Sequence, residues 1–186
     1  MAVSGQTMAE SVLIIEDYST HRVLLNRVVT EMGCRAIDAA DGREGLAAAR
    51  AQLPSLICLD LVLPDIDGVE VLRRLKRDAL TAQIPVLIVS AVDRTERLIE
   101  ALSEGADDYV TKPYNVPVLQ ARMRVLLRTA RLQRQLADDA TRARAAAAIA
   151  QAANGGSDLA EAAAQVALAM RDAAGCDRLH LFVRCG

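Results

Sequence analysis

Five polar residues each follow a short apolar run. Glu16 and Asp17 end "SVLIIED", Asp60 ends "SLICLD", Ser90 lies near the end of "IPVLIVSA", and Lys112 follows "DDYV". If the chain gathers these five, three carboxylates, one hydroxyl and one ammonium share a pocket. Neighbouring carboxylates repel and resist ionising together unless a cation neutralises them, and one lysine cannot balance three. A hard divalent ion can. Mg²⁺ takes few carboxylates and fills its octahedron with water and phosphate oxygens, so the set suits a metal and a phosphoryl group. There is no glycine-rich loop or Walker-type lysine motif, so nothing argues for a bound nucleotide.

The elements that would position these residues follow from periodicity. Between the apolar runs lie segments with helical spacing. In "STHRVLLNRVVTEMG", Ser19 is the predicted cap, Val23, Leu24, Val28 and Met32 the apolar positions, and Gly33 the stop. "DGREGLAAAR" opens on a capping Asp41, and "DGVEVLRRLKRD" carries one apolar and one charged face. "TERLIEALSEGA" ends at Gly105, and a last helical pattern starts after Asn115. Strands apolar along their length, separated by amphipathic helices, imply a parallel sheet covered on both faces. Five such units fit the α/β flavodoxin-like doubly wound fold, with five parallel strands in the order 2-1-3-4-5. Ligands then lie at the carboxyl ends of the strands, where the order reverses, and those ends carry the five polar residues.

Composition narrows the field. Among 186 residues, 52% are hydrophobic but only 2% aromatic, so the core is aliphatic. A net charge of −2 gives no electrostatic case for nucleic acid or an anionic membrane. Cys34, Cys58, Cys176 and Cys185 form no C-x-x-C pair, which fits reduced thiols and a cytoplasmic setting. No apolar run approaches the ~20 residues of a membrane span. "MAVSGQTMAES" lacks the basic and apolar regions of a signal peptide and reads as a flexible lead over 1–10.

Taken together, "IIED", "LDLVLPDIDG", "IVSA" and "YVTKP" resemble the receiver domain of bacterial two-component response regulators, over residues 11–129. The resemblance implies that Asp60 accepts a phosphoryl group from a sensor histidine kinase or histidine phosphotransfer protein. It implies Mg²⁺ held by Asp17, Asp60 and the Val62 backbone carbonyl, with Glu16 contributing directly or through water. Lys112 and Ser90 would bind phosphoryl oxygens, Ala91 would leave them space, and Ser90 and Tyr109 would form the switch. Lys112–Pro113 would be a cis peptide. Val62 and Val92, which flank the pocket, cannot orient a water, so slow hydrolysis of the phosphoaspartate is expected. Such a protein is a signalling receiver that catalyses only its own phosphorylation and dephosphorylation. The competing reading is a phosphorylation-independent adaptor or dimerisation module with the same fold.

Other polar residues have plainer readings. His21 reads as a surface residue beside the acids, Asp65 and Asp67 as loop acids with Asp67 capping the next helix, and Asp107 and Asp108 as loop acids. From Val116 a helical pattern runs to about Ala153. Two seams can be drawn on it, one through Val125, Thr129, Leu132 and Leu136, the other through Leu119, Met123, Leu126 and Ala130. Residues 130–153 are therefore expected to form a helical linker that pairs as a coiled coil in a homodimer. Residues 154–186 resemble the opening helix and strand of a GAF-type domain cut short. The arginines at 122, 124, 128, 131 and 134 read as a solvated face.

Overall fold

The computed structural model describes residues 10–91 and 95–155; side chains at 95 and 148–155 are left aside. The lead over 1–9, Val92 and the GAF-like segment from 156 lie outside the described residues. The elements are β1 (Ser11–Ile15), α1 (Ser19–Glu31), β2 (Arg35–Ala39), α2 (Gly42–Gln52), β3 (Leu56–Leu59), α3 (Gly68–Arg77), β4 (Val86–Ser90), α4 (Thr95–Ser103), β5 (Asp108–Thr111) and α5 (Val116–Gly155). The five strands form one parallel sheet in the order β2-β1-β3-β4-β5, as the sequence pattern implies. The chain divides into two compact units, Met1–Arg131 and Leu132–Gly186. The sheet and its site belong to the first.

Alternation along the central strands splits the core in two. Leu13, Ile15, Ile57, Leu59 and Ile88 face a cluster with Ala49 of α2, Val71, Leu72 and Leu75 of α3, and Ala101 of α4. Val12, Ile14, Cys58, Leu87 and Val89 face Leu25, Val28 and Val29 of α1 and Leu119, Met123 and Leu127 of α5. Each fully buried Leu or Ile contributes about 1.5–3 kcal/mol, so the aliphatic sheet is the rigid base on which the strand ends stand.

The helix signals hold with three corrections. Asp41 caps α2, accepting from the Glu44 N–H at 2.8 Å, and Glu44 reaches back to the Ala40 N–H at 2.6 Å. Ser19 does not cap α1: it is the first helical residue, and the N-cap position is Tyr18, with no side-chain bond. The buried stripe of α1 is Leu25, Val28 and Val29, while Val23 and Leu24 are exposed. The expected stripe was rotated because "VLLNRVV" is apolar at positions on two overlapping faces. On α5, Leu119, Met123 and Ala130 are buried and Leu126 packs beside them, whereas Val125, Leu132 and Leu136 are exposed. Of the two drawable seams, the one through Leu119 is the one α5 buries. Nor are all the arginines of α5 merely solvated. Arg122 grips both oxygens of Asp108 at 2.7 and 2.5 Å, and Arg131 lies 3.7 Å from Glu10.

Candidate functional site

The parallel register brings the chemistry together. Ile15 pairs with Leu59, and Leu59 with Ile88. One further ladder bond follows at each strand end: Asp60 N–H to the Ile15 carbonyl at 3.0 Å, and Lys112 N–H to the Ser90 carbonyl at 2.9 Å. Glu16, Asp60, Ser90 and Lys112 thus leave the sheet on one edge, from β1, β3, β4 and β5, which lie side by side in that order, and side chains as far as 96 residues apart meet there.

Asp60 is the hub. Its Oδ1 accepts from Ser90 Oγ at 2.6 Å and from the Val62 N–H at 3.0 Å, and its Oδ2 from Lys112 Nζ at 2.6 Å. Lys112 Nζ also donates to Glu16 Oε2 at 2.5 Å. Asp60, Glu16 and Ser90 are buried, while Asp17 is exposed. Ionised groups are kept buried only when paired, and one ammonium bridging two carboxylates meets that condition for Glu16 and Asp60. One oxygen each from Glu16, Asp17 and Asp60 lie within 4.8 Å of one another. Three hard oxygen donors this close, one of them open to water, fit a divalent cation.

Two residues of α1 border this site, and of these the sequence reading passed over only Arg22. His21 Nδ1 lies 3.2 Å from Glu16 Oε1 and 3.3 Å from Lys112 Nζ, with its ring tilted against Tyr18, and its side chain is 43% exposed, so it is a surface residue beside the acids, as expected. Arg22 donates to the backbone carbonyls of Glu16 at 2.7 Å and Asp17 at 3.1 Å and fixes the turn that carries both acids. Both sit one turn into α1, where helical spacing returns the chain to its own start. That spacing was the available signal.

The turn after Asp60 is set by Gly68. A Cβ there would meet the Leu61 Cα and lie 2.5 Å from the Asp60 carbonyl oxygen, so only glycine fits. Asp67 caps α3 through the Val69 N–H at 2.9 Å, as expected, and also binds Arg97 of α4 at 2.8 and 3.0 Å. Asp65 is not a free loop acid. It accepts from the Gly42 and Arg43 N–H groups at 2.8 and 3.0 Å and ties the turn to the start of α2. Burial pushes its carboxyl upward, but the backbone N–H donors of Gly42, Arg43 and Ile66 outweigh this and hold it below the usual range. Asp107 accepts from the Val86 N–H and from Lys76, so it too is structural. Lys112–Pro113 is cis. Tyr109 is 39% exposed and Ala91 is exposed at the end of β4. Val62 is 60% exposed on the rim.

Residues 12–124 match the response regulator receiver domain family. The chain belongs to that family. It is 43% identical over 131 residues to the transcriptional regulatory protein AfsQ1 of Streptomyces coelicolor, covering 70% of this chain and 56% of that protein. To the KDP operon transcriptional regulatory protein KdpE of Escherichia coli it is 42% identical over 118 residues, 63% of this chain and 51% of that one. A CheY-like receiver domain protein from Methanospirillum hungatei superposes with a TM-score of 0.64 at 25% identity, covering 67% of this chain and 98% of that one. The Francisella response regulator 1452 receiver domain gives 0.60 at 32% identity, covering 64% and 98%. The chain thus spans about half the length of the curated relatives it matches. Those relatives are named as transcriptional regulators, and another, RpaA of Synechocystis, as DNA-binding, so the expectation of no nucleic-acid contact, drawn from net charge, has no support among them. No helix among the described residues is long and apolar enough to cross a membrane.

Proposed function

We propose that this receiver domain takes a phosphoryl group onto Asp60 from the phosphohistidine of a sensor histidine kinase or histidine phosphotransfer protein. What carries this reading is the bonding of one buried carboxylate. Among the described residues, Oδ1 of Asp60 is engaged by Ser90 and Val62, and Oδ2 by Lys112 alone, which leaves a lone pair of Oδ2 for attack. A P–O bond forms at Oδ2 as the donor's P–N bond breaks, the PO₃ unit moves across, and the freed imidazole takes up a proton. Lys112 and Ser90 then bind phosphoryl oxygens, and Ala91, exposed at the end of β4, leaves them room.

Asp17, Asp60 and the Val62 carbonyl, with Glu16 directly or through water, would hold Mg²⁺. When bound, the ion supplies positive charge against the oxygens of the transferring group. The pull of the phosphoryl group on Ser90, coupled to inward rotation of the outward-lying Tyr109, is the switch. The output passes through α5. The stripe through Val125, Leu132 and Leu136 is the one α5 leaves exposed, and we assign it to homodimer pairing over the linker 130–153. Residues 11–129 act as the receiver, in a reducing, cytoplasmic setting. The domain catalyses only its own phosphorylation and dephosphorylation.

The test is incubation with Mg²⁺ and acetyl phosphate followed by intact mass measurement. The parent gains the mass of one phosphoryl group and Asp60→Asn gains none. A parent that stays unmodified, or an Asp60→Asn variant modified equally, overturns the reading.

A further inference from the structure

The three acids at the sheet edge are not held alike. Glu16 is fixed by its side chain, with His21 at 3.2 Å from Oε1 and Lys112 at 2.5 Å from Oε2. Its own N–H also donates to the Ala39 carbonyl at 3.1 Å. Asp60 is fixed by Ser90, the Val62 N–H and Lys112. Asp17 is exposed, and among the described residues no donor meets its carboxylate. The bond that reaches it comes to its backbone carbonyl, from Arg22 at 3.1 Å. Yet one of its carboxylate oxygens stands within 4.8 Å of oxygens of the other two acids. An unbonded side chain keeps such a place only as well as its backbone is kept, because nothing else restricts its rotamers.

The usual means of fixing this stretch of backbone are missing. Helix α1 starts behind Tyr18, which makes no side-chain cap, and the first turn carries no acid. The second turn substitutes for the cap. Arg22 Nη1 donates to the Glu16 carbonyl at 2.7 Å and to the Asp17 carbonyl at 3.1 Å. Arg22 is tied down in turn, because Asn26 donates to its carbonyl at 3.0 Å and to Asp38 of β2 at 2.6 Å. A chain of bonds thus runs from the sheet through Asn26 and Arg22 to the two carbonyls that set the direction of Asp17. The choice of acceptor matters as well. Guanidinium groups bind carboxylates strongly, and one placed on these acids would cover the oxygens that a cation needs. Bonded to carbonyls instead, Arg22 leaves the Asp17 carboxylate open.

We propose that Arg22 is a positioning residue of the cation site, aiming the Asp17 carboxylate through the two carbonyls it holds. This rests on the reading that Asp17 and Asp60 hold Mg²⁺. The charge of Arg22 acts in the opposite sense, since a guanidinium repels a cation, so what Arg22 contributes is geometry. Groups that orient a metal ligand are worth about tenfold or more in metal affinity.

The experiment uses Mn²⁺, a divalent ion that also suits carboxylate, carbonyl and water ligands. Free Mn²⁺ is counted by EPR, and Mg²⁺ is added to displace the bound ion. The parent is compared with Arg22→Lys and Arg22→Met, and each protein is melted in EDTA. Lysine keeps the charge but ends one atom short of Nη1, so it separates geometry from charge. Methionine removes both. The inference expects about tenfold weaker Mn²⁺ binding in Arg22→Lys. It expects a smaller loss in Arg22→Met, where relief of charge repulsion offsets part of the effect, and both variants folded at the temperature of the titration. Unchanged affinity in Arg22→Lys overturns the inference and leaves the phosphoacceptor reading standing. Tighter binding in Arg22→Met overturns it too, because repulsion would then be the larger effect of Arg22. So does a variant unfolded in EDTA, since Arg22 would then hold the fold rather than the acid. A parent that binds no Mn²⁺, or whose Mn²⁺ is not displaced by Mg²⁺, overturns the cation assignment and this inference together.

Discussion

Replacing Lys112 by methionine tests the electrostatic account of the site most directly. The change keeps the length of the side chain and removes its charge. Lys112 Nζ is the cation that contacts both Glu16 and Asp60, at 2.5 and 2.6 Å, and the three side chains are 8%, 2% and 8% exposed. Removing one partner from a buried ion pair costs about 3–5 kcal/mol, because the remaining charge stays in a poorly solvating place. Asp17 is exposed and opens the pocket to water on one side, so the lower end, about 3 kcal/mol, is the expected loss. For a domain of this size that lowers the melting temperature by roughly 12 °C.

The assay is urea denaturation followed by circular dichroism in EDTA. Two contrasts sharpen it. Mg²⁺ at about ten times its Kd returns about 1.4 kcal/mol to the variant, since the ion restores positive charge among the carboxylates. The triple variant Glu16→Gln, Asp60→Asn, Lys112→Met, which removes all three charges, lies within about 1 kcal/mol of the parent. A single Lys112→Met variant with an unchanged unfolding midpoint in EDTA refutes the reasoning, because Glu16 and Asp60 would then not depend on this cation.

Two further outcomes follow from the turn after Asp60. Gly68→Ala forces a Cβ against the backbone of Asp60 and Leu61, so we expect about 1–3 kcal/mol of destabilisation in urea titration, together with slower labelling by acetyl phosphate as Asp60 is displaced. Asp65→Asn probes the acid limb. The folded-state pKa of Asp65 is lowered, so its stabilising contribution is present above the unfolded value of about 3.9 and is lost as pH falls through the folded value. The parent's advantage over Asp65→Asn in urea midpoint should therefore be larger at pH 6 than at pH 3, and an advantage that grows toward acid pH contradicts the assignment.

Much of the site was legible because each chemical residue follows an apolar run. In a parallel sheet every strand ends on the same side as its neighbours, so residues 16, 60, 90 and 112 had to meet once five strands in the order 2-1-3-4-5 were inferred. The cap at Asp41 and the stop at Gly33 are local, set by backbone groups a few residues away, and the chain carries them in plain order. The cis bond at Lys112–Pro113 came from the family resemblance, since spacing alone does not specify it.

What the linear chain left open are choices among equivalent faces and partners. "VLLNRVV" offers α1 two overlapping stripes, and packing against Val12 and Ile14 selects Leu25, Val28 and Val29. Two seams run along α5, and the one taken into the core is that of Leu119 and Met123, which share a buried cluster with Val89 and Val110. Asp65 reads as a loop acid until the start of α2 is placed beside it. Periodicity and chain termini of strands are properties of neighbouring residues, and sequence determines them. Which face is buried and which donor meets which acceptor depend on contacts between distant segments, and only the tertiary structure decides those.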